Sequence, residues 1–218
     1  MFAIFLRIAL AYGFITAGMV KVWGERFTVL SVNQPMGNYL EAFYHTGFYY
    51  TSVGVLQVVA GILLLFPRTV VLGAVIYFPI ILNICILSIA VRFEGSFVTS
   101  PLMVFANLYL LCWYYHKWKY ILPIHQVTPQ EEKLPKRKEL NTKFPLKFFF
   151  GVAATVATVF VVYSFGYDIM PRNTFRECKG QCEDNVNPQA CYNFCDCIHK
   201  EGQPLEKCLE NYEAALKK

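Results

Sequence analysis

The sequence predicts an all-α membrane protein: a four-helix transmembrane bundle, a fifth transmembrane helix and a small disulfide-stapled helical hairpin domain. Three observations predict it. Apolar residues make up 56% of the 218, and they gather in five long blocks instead of being spread over a soluble surface. Charged residues, at 16%, lie mostly in the segments between and after those blocks. Six of the eight cysteines lie beyond the last block.

The blocks run from about Phe2 to Trp23, Tyr50 to Phe66, Val70 to Val91, Pro101 to about Tyr115, and about Leu146 to Phe165. A helix needs roughly 20 apolar residues to cross the hydrocarbon core. The second and fourth blocks are short, and flanking tyrosines and tryptophans extend them into the interface. Only helices satisfy their own backbone hydrogen bonds in lipid, so the blocks are read as helices. No basic residue precedes the first block and Arg7 interrupts it, so it is read as a retained helix and not a cleaved leader. The resulting units are 1–118, a four-helix bundle; 119–145, a basic cytoplasmic linker; 146–167, the fifth helix; and 168–218, an extracytoplasmic cysteine-rich domain.

Orientation follows from the basic residues. Lys117, Lys119, Lys133, Lys136, Arg137, Lys138, Lys143 and Lys147 crowd one connection, opposed by Glu131, Glu132 and Glu139. The positive-inside rule makes that connection cytoplasmic, with the N-terminus also inside and the tail outside. Its Lys, Glu and Pro content reads as a flexible linker, or alternatively as a surface gripping anionic headgroups. The stretch Asn38 to Tyr44 is aromatic and predicts a short helix lying in the interface. The net charge of +5 lies between apolar spans, which argues against nucleic-acid binding.

Polar groups inside a bilayer are costly, so each calls for a reason. Arg7 and Lys21 are fourteen residues apart, nearly four turns at ~3.6 residues each, and share a face of the first helix. They either snorkel to opposite surfaces or point inward and hold an anionic or polar ligand. Gln57, Asn83 and Asn107 each fall near the middle of a helix. Gly54 and Gly61 share a face with Gln57 and allow close helix approach. Pro79 frees a carbonyl in the third block one turn before Asn83. The three amides read as interhelical glue or as a small-molecule pocket. Cys85 and Cys112 read as small buried hydrophobes.

In the tail, Cys178, Cys182, Cys191 and Cys195 form two C-x3-C pairs, followed by Cys197 and Cys208. A spacing of four puts both sulfurs of a pair on one helix face. Two such helices packed antiparallel would join Cys178 to Cys195 and Cys182 to Cys191, leaving Cys197 for Cys208. This is one of many connectivities open to six cysteines. Asn187-Pro188 suits the start of the second helix, and a last helix is expected over Leu205 to Leu216. Bridges of about 2–4 kcal/mol each would stabilise a unit too small to fold on apolar burial. Zinc ligation is the next option, against which the spacing is atypical; a redox-active Cys195-x-Cys197 pair is a third. No histidine falls in a span, no CxxC occurs, and no nucleophile-and-base or phosphate-loop motif is present. No catalytic or metal site is therefore assigned.

The stretches Arg7-Ile8-Ala9-Leu10 through Gly18-Met19-Val20-Lys21, and Ala60-Gly61-Ile62-Leu63-Leu64-Leu65-Phe66-Pro67-Arg68-Thr69 with Leu72-Gly73-Ala74, resemble the DoxX-like membrane family over residues 1–120. Arg7, Lys21 and Gln57 best match that family's polar points. The fifth helix and the tail fall outside the pattern. The resemblance implies a bacterial inner-membrane protein, in a family that includes quinone-linked subunits oxidising sulfur compounds and members of thiol-redox complexes. Function is not fixed by such membership. The first expectation is a non-catalytic accessory subunit or assembly factor whose partners are the lipid bilayer and other membrane or periplasmic proteins. The alternatives are a quinone-linked oxidoreductase subunit, with quinone as cofactor, and a small-solute or lipid carrier.

Overall fold

The computed structural model describes residues 2–118 and 146–217; the linker expected over 119–145 lies outside the described residues. Every regular element among those described is a helix. Four segments are long and apolar enough to cross a membrane: α1 (Phe2–Val22), α3 (Phe48–Leu65), α4 (Val70–Ala90), and α5 (Glu94–Phe97) continuing into α6 (Thr99–Trp113). Between α1 and α3 lies α2 (Pro35–Tyr44), the short aromatic helix expected from the sequence; α7 (Tyr115–Trp118) follows α6. α8 (Leu146–Phe165) is a 20-residue apolar helix over the range expected for the fifth span. Three short helices finish the chain: α9 (Phe175–Gly180), α10 (Pro188–His199) and α11 (Leu205–Leu216).

α1 packs on α3, α3 on α4, α4 on α6, and α6 closes the ring on α1. The closest approach is made by glycine. A methyl group on Gly18 would stand 2.7 Å from the Gly54 carbonyl oxygen, and one on Gly54 would stand 2.6 Å from the Lys21 Cβ. Gly73 meets the α3 backbone in the same way, 2.8 Å from Leu64 N. These contacts let backbones touch where larger side chains would hold the helices apart. Between them lies a core of Leu6, Leu10, Phe14, Leu64, Tyr77, Ile81 and Leu110. Its centre is the stacked pair Phe14 and Tyr77, with ring centroids 3.4 Å apart. α8 touches this bundle lightly, through α6 and through Phe149 against Phe2 at 5.7 Å.

The tail has its own core, and sulfur makes much of it: all six cysteines are buried around Ile169, Phe194, Ile198 and Tyr212. The bridges are Cys178–Cys195, Cys182–Cys191 and Cys197–Cys208, the connectivity expected from the paired spacing. Local signals fix the helix starts. Thr174 and Glu177 form a reciprocal capping box at α9, and the Asn187 side chain accepts from Ala190 N ahead of Pro188 at α10. One detail differs from expectation. α9 stops at Gly180, so Cys182 sits in the following turn and not on the same helix as Cys178. The turn still brings it under α10 because Cys182 N bonds back to Lys179 O.

Candidate functional site

Arg7 is 6% exposed, and its guanidinium is taken up by backbone carbonyls of α3. Its Nε donates to the Leu64 carbonyl at 2.7 Å, and a second guanidinium nitrogen donates to the Leu65 carbonyl. The last carbonyls of a helix lack intrahelical partners and carry its negative dipole end. Here Thr69 Oγ1 donates to Leu63 O at 2.9 Å and Lys117 Nζ donates to Pro67 O at 3.1 Å. Two cations and a hydroxyl from three elements thus cap one helix end and its turn.

Lys21, at the opposite end of α1, is likewise buried. It donates to Ala17 O at 3.0 Å and lies 4.1 Å from the Phe27 ring centre, with Tyr50 further off at 6.0 Å. A ring face attracts a cation. The loop after α1 therefore folds back to cover the ammonium, helped by Tyr50, whose hydroxyl donates to Glu25 O at 2.8 Å.

Gln57 and Asn107 are fully buried, as expected. Asn107 Nδ2 donates to the Ala74 carbonyl of α4 at 3.0 Å, the interhelical bond the glue reading requires. Asn83 is a correction: it is exposed on the outer face of α4, beside Pro79 and Ile86. A helix apolar on every side does not mark which face turns inward, so depth alone did not locate it. In its place the structure supplies Tyr77, which sequence reasoning missed. Gln57 Oε1, Tyr77 OH and Asn107 Oδ1 have no hydrogen-bond partner among the described residues. They are linked through neighbours. The Gln57 Cβ packs at Gly18, Phe14 one turn away stacks on Tyr77, and Ala74 on the preceding turn of α4 holds Asn107. Two of the three orphaned atoms are pure acceptors. Cys85 is buried as expected, whereas Cys112 is exposed on α6.

At the other end of the bundle the tail is clasped to two connections. Arg172 forms an ion pair with Glu94 at the start of α5. Arg92 donates to Ile169 O at 2.8 Å and stacks on Tyr167 at 4.3 Å; burial pulls its guanidinium below the ordinary range. Asn33 Nδ2 donates to His199 O at 2.9 Å, and His199 Nε2 donates to Pro171 O at 2.7 Å. Arg92 and Arg172 both have positive φ, 50° and 52°, a conformation costly for a side-chain-bearing residue. Both are held in it by partners across the junction. Within the tail, Gln181 holds the segment ahead of α9, with Nε2 donating to Met170 O at 2.7 Å and Oε1 accepting from Met170 N at 3.1 Å. None of Asn33, Arg92, Glu94 and Arg172 was singled out from sequence, because their partners are distant in the chain.

Two depressions follow from this arrangement. One, of about 440 Å3, lies on the junction between Glu94, Arg172, Glu177 and Gln181. The other, of about 270 Å3, lies between α10 and α11, lined by Asn193, Phe194, Glu201, Asn211 and Tyr212. Neither enters the bundle.

The fold and its polar points define a multi-helix protein of membrane type with a disulfide-bonded helical tail. The chain belongs to the family of the uncharacterized protein YwoB of Bacillus subtilis (strain 168), with which it is 31% identical over 110 residues, 48% of this chain and 71% of YwoB. No family model and no solved structure matches it.

Proposed function

We propose that this chain is a non-catalytic accessory subunit or assembly factor of a larger complex in the bacterial inner membrane. In this reading α8 is a fifth crossing, the N-terminus is cytoplasmic and the tail is periplasmic. The bundle is of the DoxX-like kind that its first helix and the α3–α4 turn resemble. The supporting observation is the clasp. The tail does not hang from α8 on a free leader; Asn33, Arg92, Glu94 and Arg172 tie it to the bundle's own connections. A tail held through Asn33, Arg92 and the Arg172–Glu94 pair presents the α10–α11 groove in one orientation, which lowers the ordering cost of docking a protein. The polar residues also favour structure over chemistry. Arg7 and Lys117 cap a helix end, and Asn107 joins two helices.

The test is co-purification. A photo-crosslinking residue at Asn193 should trap one protein in membranes. Mild-detergent purification followed by mass spectrometry should recover the same one. A chain that emerges alone in both experiments would refute the proposal. A second reading, a quinone-linked subunit, has the orphaned Gln57, Tyr77 and Asn107 atoms in its favour. It expects a quinol to co-purify with the wild type and to be lost in Tyr77→Phe. The carrier reading rests on the same three residues, with a small solute or a lipid in place of the quinol.

A further inference from the structure

The antiparallel crossing of α9 and α10 does more than bridge cysteines in pairs. Cys178, Cys182, Cys191 and Cys195 are all fully buried. The sulfurs of Cys182, Cys191 and Cys195 lie within 4.8 Å of one another, and the fourth, Cys178, is bonded to Cys195. Cys182 Sγ and Cys195 Sγ belong to different bridges yet stand only 3.9 Å apart. A tetrahedral zinc ion with Zn–S distances of about 2.3 Å sets its sulfurs roughly 3.8 Å from each other. The distance between bridges is therefore already an edge of that tetrahedron. The Cα–Cα separations of 5.7 and 5.4 Å across the two bridges leave only a small opening to be made. Gln181 Nε2 stands 3.4 Å from Cys178 Sγ, where it can donate to a thiolate as an outer-shell partner.

We propose that, once reduced, these four cysteines form a tetrathiolate site for a single divalent cation of the zinc class. The tail then has two stable forms, one bridged and one metal-bound, on the same hairpin. The chemistry balances. Each disulfide takes two electrons and two protons from an external dithiol, which becomes a disulfide, and yields two thiols. The four thiols then lose four protons as their sulfurs bind the cation. Four soft thiolate ligands favour zinc over magnesium or calcium. Metal binding replaces the bridges as the source of folding free energy for a unit too small to fold on apolar burial. The Cys197–Cys208 bridge lies outside the cluster and takes no part.

The experiment uses the full chain in detergent, reduced anaerobically with a trialkylphosphine, which water converts to the phosphine oxide as the disulfides open. Thiol titration confirms that all eight cysteines are free. Cobalt(II) is then titrated in, followed by zinc. One cobalt per chain is expected, with sulfur-to-cobalt charge-transfer and tetrahedral visible bands that zinc abolishes. Zinc should also restore protease resistance to the reduced tail. The double variant Cys197→Ser/Cys208→Ser should keep the bands, while Cys182→Ser should weaken binding by more than the ~10–100-fold that outer-shell changes cost. Absence of bands in the fully reduced wild type would overturn the proposal. So would bands that persist when all four cluster cysteines are serine. The wild-type outcome decides even if a variant folds poorly.

Discussion

The bundle and the tail solve one problem, holding short helices together, by opposite means. In the bundle the helices are apolar on every side, and specificity comes from backbone approach at Gly18, Gly54 and Gly73 and from one amide reaching across to Ala74. In the tail the apolar area is small and three covalent bridges carry the fold. The difference follows from the surroundings each is built for. In lipid the hydrophobic effect does not press helices together, so packing and hydrogen bonds must. In water a unit of this size has too little apolar surface to balance chain entropy. The clasp joins the two regimes: polar, part-buried and made of residues from both.

The comparison breaks most visibly under reductant. Opening the tail's bridges, in the absence of metal, should cost about 2–5 kcal/mol per bridge. Limited proteolysis should then cut within 175–216 while the bundle stays intact; simultaneous loss of both would show that they fold as one. Gly18→Leu should do the reverse. Overpacking against Gly54 and Val58 costs about 1–3 kcal/mol, read as a lower melting temperature of the detergent-solubilised bundle, with the tail still protease-resistant. Next comes a contrast within the bundle. Asn107→Leu should lose about 0.6–2 kcal/mol by removing the bond to Ala74. Asn83→Leu, on the exposed face, should change the melt little or raise it; equal losses would mean that Asn83 has a partner helix. The smallest effect is at the clasp. The Arg172–Glu94 pair is partly solvated and worth about 0.2–1 kcal/mol, which a double-mutant cycle on Arg172→Ala and Glu94→Ala would measure. A spin label at Asn193 should become more mobile in either variant even where the melt barely moves.

Legibility in the sequence divided along the same line. The tail could be read almost residue by residue. The C-x3-C spacing paired the cysteines, Asn187-Pro188 placed the start of α10, and α11 spans Leu205 to Leu216 as expected, because these signals act over a few residues. The bundle could be read as spans but not as faces. Arg7 was recognised as an anomaly, yet its partners lie 57 and 58 residues away, and no local pattern announces that a helix end will arrive there. Asn83 and Asn107 look alike as sequence, each an amide in an apolar run, and only one is buried.

The sequence by itself determined where the helices lie, that the spans hold few charges, and that two C-x3-C pairs could bridge across a hairpin. Those follow from chain-local physics: backbone hydrogen bonding in an apolar run, capping chemistry and helical periodicity. The tertiary structure decided what the polar residues do. It turned Asn83 outward, set Arg7 to cap α3 and laid the tail across Asn33, Arg92 and Glu94. It also brought the sulfurs of two bridges within 3.9 Å. Each of these depends on which segments meet in space. In a chain whose helices are apolar all round, that is settled by the close packing of small residues and not by any pattern along one helix.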